Sequence, residues 1–253
     1  GRSSISGGQS AADSALQGLN ITGYAKNRSE VLPYEARGAS QLSPYIRHNL
    51  LPLARVWDHV AKAPFADREK YRDELLWQEY ARHLYARIGT RLFRNLRFEQ
   101  IWDAPGNGWP EGMACVDFAT DELEQDGWLV NQSRMWLASH WTVRNQRGWL
   151  HGQEQMYRHL LDGSRAANLL GWQWTVGTGT GNHMDLRDGR CKSGHRSYVV
   201  AAHSKVNARY KISQKNLLWM RHPLMRCWCR IQILRQQLGH YLLKKIDPQQ
   251  LFC

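Results

Sequence analysis

The sequence has no long apolar run. No window of about 18 consecutive apolar residues occurs in its 253 residues, so it predicts no transmembrane helix. The opening residues, GRSSISGGQSAADS, lack the basic and apolar regions of a secretory signal. Its five cysteines show no framework spacing, which fits a reducing compartment. We therefore expect a cytoplasmic protein with no membrane partner.

Motifs of several common enzyme classes are also missing. The sequence contains no Walker loop, no GxGxxG fingerprint and no HExxH pair. Gly177, Gly179 and Gly181 form a glycine-rich turn after a predicted helix, which is not the pattern of a phosphate-binding loop. Cys227 and Cys229 are too close in sequence for a common zinc pair, so no metal site is predicted.

Positive charge is concentrated near one end of the chain. The formal net charge is +12, but residues 182–253 hold 14 Lys+Arg against 3 Asp+Glu, while residues 1–181 hold 20 against 19. A basic excess often indicates nucleic-acid binding. Because the excess lies outside residues 1–181, net charge does not predict DNA binding by that part.

Strand-like alternation is nearly absent, whereas apolar residues recur at helical spacing. Ser43 and Pro44 resemble an N-cap with proline at the first helical position, and they predict a helix through about Lys62. A second long helix is predicted from about Asp67 to Ile88. Further helices are predicted at about 116–126, 128–145, 150–161 and 163–172. The sequence therefore predicts an all-α domain.

The chain divides into three parts. Residues 1–41 are predicted as a loop-rich N-terminal lead-in, 42–181 as a helical domain, and 182–253 as a basic tail without clear periodicity. The tail could be a disordered segment or a nucleic-acid-binding arm, but we favour an out-of-frame translation. Restoring one adenine in the codon of Asn182 permits the alternative translation KPYGFTRWQVQ, which follows naturally from the in-frame TGTG. On this hypothesis the tail is poorly ordered and carries no evolved function.

The first of three informative sequence blocks is ASQLSPY, from Ala39 to Tyr45. Hydroxyls and backbone N–H groups at the start of a helix can bind a dianion, and the helix dipole favours this. Taken alone, the SxLS pattern equally fits an ordinary helix cap.

The other two blocks place charged and aromatic residues at helical spacing. In ELLWQEYARHL, Glu74 and Trp77 share one helix face, although an amphipathic helix with a core tryptophan would show the same pattern. The third block combines GWLVNQSRM with DGSRAANLLGWQW, and contains Arg134 and Asp162. These two could form an ordinary surface ion pair, and the twelve tryptophans of the chain could simply fill its core.

Together the three blocks resemble the C-terminal FAD-binding domain of the DNA photolyase and cryptochrome family, over about residues 24–181. The resemblance implies a multi-helix fold that binds FAD, without the α/β antenna domain that usually precedes it. It also implies light-driven electron transfer from reduced flavin that splits pyrimidine dimers in damaged DNA, a carbon–carbon lyase activity. The alternatives are a cryptochrome-like blue-light photosensor with a protein partner, or an inactive truncated or frameshifted product. We expect a monomer.

The resemblance also implies roles for individual residues. Those expected to bind FAD are Tyr24, Ser40, Gln41, Leu42, Ser43, Arg134, Asp162, Gly163, Ser164 and Asn168. Those expected to contact DNA are Arg28, Glu74, Trp77, Asn131, Gln132 and Trp174. The residues expected to act in catalysis are Glu74 and Asn168, with Trp172 and Trp149 relaying electrons; a third relay member could be Trp102 or Trp109. The sequence departs from the usual family residues at Ala39, Tyr71, Gln132 and Ser164.

Overall fold

The computed structural model describes residues 3–100, 102–111 and 113–181. The basic tail, with the out-of-frame hypothesis, lies outside the described residues. Within the described ranges the chain forms no strand, which confirms the all-α prediction. Its α-helices there are α1 (Gln9–Gln17), α2 (Tyr24–Asn27), α3 (Ser43–Arg47), α4 (Leu53–His59), α5 (Phe65–Ile88), α6 (Ala114–Asp126), α7 (Asn131–Ser139), α8 (Trp149–His159) and α9 (Arg165–Val176).

The long helix α5 connects two parts of the core. It begins directly after Pro64 and ends at Gly89, whose φ of 55° stops the helical geometry. Its buried side chains include Tyr71 and Leu75 on one face and Leu84, further along, on another, and the helix packs against α2 and α9. The observed bounds lie close to those predicted from the apolar periodicity.

Two clusters of buried side chains lie on either side of this helix. The first joins α1 to α5, and its members include Leu16, Tyr24, Leu42, Tyr45, Val56, Tyr71 and Leu75. The second joins α5 to α9, and its members include Leu84, Trp128, Leu137, Trp141, Trp149, Leu169 and Trp172. Each of the three sequence blocks therefore contributes buried side chains to one or both clusters.

The lead-in, interpreted from the sequence as loop with room for one short helix, contains the nine-residue helix α1. Ala12 and Leu16 on that helix are buried in the first cluster. Ser3 and Ser4 also hydrogen-bond to Asp126 at the end of α6. The segment is therefore part of the packed structure.

The helix predicted from Ser43 to Lys62 is interrupted. The structure has two shorter helices, α3 and α4, with Asn49 at φ 60° between them and Pro52 directly before α4. Proline lacks the N–H that would continue a helix and disfavours helical geometry in the residue before it. The prediction of one continuous helix was wrong for this reason.

The described residues contain neither a membrane-spanning helix nor a metal-binding cluster. None of the helices there is long and apolar enough to cross a membrane. Across the same part of the chain, no three His, Cys, Asp or Glu side chains are grouped so that they could hold a metal ion.

Candidate functional site

Ser40, in the turn before α3, and Ser43, at the first position of α3, are hydrogen-bonded to aromatic side chains from distant segments. The Tyr71 hydroxyl donates to Ser40 Oγ at 3.1 Å, and the Trp128 indole Nε1 donates to Ser43 Oγ at 3.0 Å. Burial raises the pKa of Tyr71, an effect that its bond to Ser40 opposes, so the phenol keeps its proton at neutral pH. These bonds attach the turn to α5 and to the segment before α7.

The expected N-cap at Ser43 is wrong. Leu42 occupies the N-cap position, and no side chain caps α3. Gln41 is exposed with φ 55°, whereas Leu42 is buried in the first cluster. Because α3 has only five residues, its dipole contributes little, and the groups that the turn could offer to an anion are its hydroxyls and backbone N–H groups.

α3 also contacts the loop before α9. Arg47 Nε donates to the backbone oxygen of Gly163 at 2.6 Å, and His48 Nε2 lies 3.0 Å from the backbone oxygen of Leu161. Asp162 lies between these two loop residues. The residues that directly follow the first sequence block thus contact the start of DGSRAANLLGWQW, more than 110 residues away. Arg47 could not be singled out from the sequence, because it is a surface cation in a predicted helix.

Arg134 and Asp162 form the predicted ion pair. Arg134 Nη2 donates to Asp162 Oδ2 at 2.7 Å, and its Nε donates to the Leu129 backbone oxygen at 3.1 Å. The Asp162 side chain is 4% exposed, which excludes the ordinary surface pair. Its other oxygen, Oδ1, is buried with no hydrogen-bond partner. A buried acceptor of this kind is costly unless a donor satisfies it, so the site fits a ligand N–H.

Ser164 and Asn168 lie one turn apart at the start of α9. Ser164 caps the helix, because its Oγ accepts from the Ala167 N–H at 3.4 Å. Asn168 Nδ2 donates to the backbone oxygen of Gln153 at 2.8 Å and to its Oε1 at 3.0 Å. Both amide hydrogens are therefore used, and the carboxamide oxygen is what Asn168 can offer a ligand. Sequence analysis missed Gln153, although a polar residue on the buried face of α8 is a usable signal.

Trp172 and Trp149 are both buried, at 2% and 4% exposure. Trp149 Nε1 donates to Asn95 Oδ1 at 3.0 Å, whereas Trp172 Nε1 is buried without a partner. Gly152 lies against Trp172 and Trp141: a Cβ atom there would be 2.4 Å from Trp172 Cη2 and 2.7 Å from Trp141 Cδ1. Trp141, which sequence analysis did not single out, is therefore a close neighbour of Trp172.

The two candidates for a third relay member differ in their surroundings. Trp109 packs edge-on against Trp141, with ring centroids 5.5 Å apart, and its buried Nε1 has no hydrogen-bond partner. Trp102 is half-buried in the connector before α6. Trp109 therefore belongs to the same group of indoles as Trp141 and Trp172, in which it contacts Trp141.

One carboxylate anchors α2 to α5 and so positions Tyr24. The two oxygens of Asp67 accept from two backbone N–H groups at the start of α2, at 2.9 and 2.8 Å. The Tyr24 ring packs edge-on against Tyr71, with centroids 4.8 Å apart. Burial raises the pKa of Tyr24, and the negative charge of Glu74 adds to the rise. Tyr24 is therefore a neutral phenol that can donate a hydrogen bond.

Arg28 and Glu74, both expected at the DNA interface, contact each other. Glu74 Oε1 is 2.8 Å from Lys70 Nζ and 3.5 Å from Arg28 Nε. Two cations thus share one carboxylate, so these three side chains together carry a net positive charge. Trp77, on the following turn of α5, is 36% exposed, and its ring packs edge-on against Tyr80 at 5.6 Å. An exposed indole beside net positive charge suits a nucleic-acid base and its phosphate.

The other residues expected at DNA occupy accessible positions. Asn131 is exposed at the start of α7, where its Nδ2 lies 3.7 Å from Met135 Sδ in the same helix. Gln132 is half-buried. Trp174 is 41% exposed, although Trp172 two residues earlier is buried.

Known proteins match this chain in sequence. A family model described as the FAD binding domain of DNA photolyase matches residues 71–193. A deoxyribodipyrimidine photo-lyase of Thermus thermophilus is 33% identical over 183 residues, covering 66% of this chain and 43% of that protein. One of Vibrio cholerae is 31% identical over 159 residues, covering 56% and 34%. The chain thus spans less than half the length of these curated relatives.

Two solved structures share the fold. A class III photolyase from Agrobacterium tumefaciens has a TM-score of 0.62 at 20% identity, over 83% of this chain and 49% of that one. A Synechocystis cryptochrome has a TM-score of 0.61 at 20% identity, over 85% and 51%. The helical arrangement and the sequence matches agree: through residues 71–193 the chain belongs to the DNA photolyase family, whose FAD-binding domain these residues match and whose cofactor is FAD.

Proposed function

We propose that this chain holds FAD beside α3, α7 and α9 and uses light to transfer an electron to pyrimidine dimers in DNA. The observation that carries the proposal is the buried Arg134–Asp162 pair with its second carboxylate oxygen left for a ligand. A fixed guanidinium beside a flavin ring favours additional negative charge on the ring. The curated relatives are named deoxyribodipyrimidine photo-lyases, which supports repair as the activity.

Three groups of residues would hold the cofactor. The hydroxyls of Ser40 and Ser43 would donate to the pyrophosphate, Arg134 and Asp162 would flank the flavin ring, and Asn168 would present its carboxamide oxygen to it. When bound, reduced FAD would supply the light-driven electron donor for splitting the dimer. The remaining expected contacts are Tyr24, Gln41, Leu42, Gly163 and Ser164.

The exposed face of α5 would hold the lesion. A flipped base needs a stacking surface and a polar partner, and Trp77 and Glu74 would supply them. Lys70 and Arg28 offset the Glu74 charge, so this surface does not repel DNA phosphates. The residues proposed to line the edge of this site are Asn131, Gln132 and Trp174.

Repair is tested by exposing the FAD-loaded full chain to irradiated DNA and counting the dimers left in light and in darkness. We expect dimers to disappear only in the light. Trp77→Ala is expected to weaken binding of dimer-containing DNA about tenfold, since stacking on an aromatic side chain contributes ~1–3 kcal/mol per base. Fluorescence anisotropy with labelled DNA measures this loss.

Phe65→Ala is the matched control, because Phe65 is a 71% exposed aromatic residue at the first position of the same helix, about three turns before Trp77. It is expected to leave DNA binding and repair unchanged. A flavin-containing protein that leaves dimers intact under light would contradict repair and favour the blue-light photosensor. A folded chain that takes up no FAD would contradict both functions.

Trp172→Phe is expected to slow light-driven reduction of the bound flavin by at least about tenfold, without a measurable change in FAD content. An indole gives up an electron far more readily than a phenyl ring. After Trp172 has passed an electron to the flavin, Trp149 would donate one to the oxidised Trp172. The rate is followed by flavin absorbance under blue light with a thiol as external reductant. Trp57→Phe is the control, because Trp57 packs against the first core cluster. Equal rates in the two variants would remove Trp172 from the relay.

A further inference from the structure

Ser43 begins α3 without capping it, and its hydroxyl has another partner. The Trp128 indole Nε1 lies 3.0 Å from Ser43 Oγ. Trp128 is 5% exposed and belongs to the second core cluster, so packing holds its ring in one orientation. A residue from the segment before α7 thereby fixes the hydroxyl of a turn 85 positions earlier.

The chemistry of the two groups sets the direction of this hydrogen bond. An indole N–H can only donate, so Ser43 Oγ must accept. A hydroxyl that accepts in this way keeps its own hydrogen for another acceptor. Ser40 is arranged similarly, since its Oγ lies 3.1 Å from the Tyr71 hydroxyl and 3.5 Å from the Leu42 backbone nitrogen. Both hydroxyls therefore keep a hydrogen that they can donate to an anion.

We propose that Trp128 is a positioning residue for the pyrophosphate of FAD. By occupying one lone pair of Ser43, its indole N–H directs the serine proton toward a phosphate oxygen. The short α3 provides little dipole, so a correctly oriented hydroxyl matters more at this turn than at the start of a long helix. The inference rests on the proposed placement of the pyrophosphate at Ser40–Ser43.

The test compares a ligand that carries the pyrophosphate with one that lacks it. Trp128→Phe keeps an aromatic ring but removes the N–H. We expect its affinity for FAD to fall roughly three- to tenfold, the size of a weakened charge-assisted hydrogen bond. Affinity for riboflavin, which has no phosphate, should stay unchanged. Both are measured by flavin fluorescence titration of the full chain.

A double-mutant cycle shows whether the effect passes through Ser43. In a Ser43→Ala background, Trp128→Phe should cause no further loss of FAD affinity, whereas in a Ser40→Ala background it should cause the full loss. Equal weakening of FAD and riboflavin, or an undiminished loss in the Ser43→Ala background, would overturn the inference. If Ser43→Ala by itself leaves FAD affinity unchanged, the placement of the pyrophosphate fails instead.

A second measurement applies if Trp128→Phe does not fold. The indole N–H resonance of Trp128 is identified in the NMR spectrum of the full chain as the one that moves in Ser43→Ala. We expect this resonance to keep its hydrogen-bonded shift when FAD is added, because Ser43 remains its acceptor. A large change on FAD addition, with the N–H transferred to a new acceptor, would overturn the positioning role.

Discussion

Gly152→Ala is expected to lower the melting temperature of the protein by about 4–10 °C. The new Cβ atom would lie 2.4 Å from two ring atoms of Trp172 and 2.7 Å from Trp141 Cδ1. Both indoles are buried at 2% exposure or less, so neither can move without displacing its neighbours. Overpacking of this kind costs about 1–3 kcal/mol. Thermal unfolding followed by helical circular dichroism measures the shift.

Gly171→Ala is the matched control, because it makes the same substitution inside the neighbouring helix α9. A Cβ atom there would meet no heavy atom within 4 Å. Alanine is a better helix former than glycine by about 0.5–1 kcal/mol, so this variant is expected to melt slightly higher than the parent. Equal melting temperatures for the two variants would contradict the packing of Trp172 and Trp141 against Gly152.

The helical framework was predictable where its causes are local. Apolar periodicity located α5 and α9, and Pro64 and Gly89 delimit α5 as proline and glycine commonly do. The break at Pro52 was missed because the residues on both sides of it continue the same apolar pattern. Periodicity alone cannot distinguish one long helix from two short ones that bury the same face.

The site itself was only partly predictable. The resemblance to photolyases indicated the Arg134–Asp162 pair, which the structure shows at 2.7 Å. The bonds from Arg47 to Gly163 and from Trp128 to Ser43 could not be predicted, because each joins segments more than 80 residues apart. Such contacts depend on how the helices pack, and no local propensity encodes them. The proposed ligand roles of these residues remain predictions.

Asp162→Asn is expected to weaken FAD binding on the order of 10–100-fold, because it removes a charge-assisted acceptor from a site that is 4% exposed. The substitution keeps the size of the side chain but leaves Arg134 without its counter-charge. Loss of one partner of a buried pair also destabilises the fold, by about 3 kcal/mol. Equilibrium dialysis against FAD measures the affinity, and a thermal melt of the same sample shows that the variant is folded.

Glu154→Gln is the matched control for Asp162→Asn, because it also replaces a carboxylate by a carboxamide in an ion pair. It shows whether a loss of FAD affinity depends on where the charge is removed. Glu154 pairs with Arg165, which lowers the pKa of that carboxyl, but the two side chains are 34% and 32% exposed. Exposed pairs contribute about 0–1 kcal/mol, so FAD affinity should not change. Two equally small effects would mean that the open oxygen of Asp162 is not the acceptor for the flavin. The cofactor would then have to bind against other residues, and this result would also contradict the flavin contacts proposed for Arg134 and Asn168.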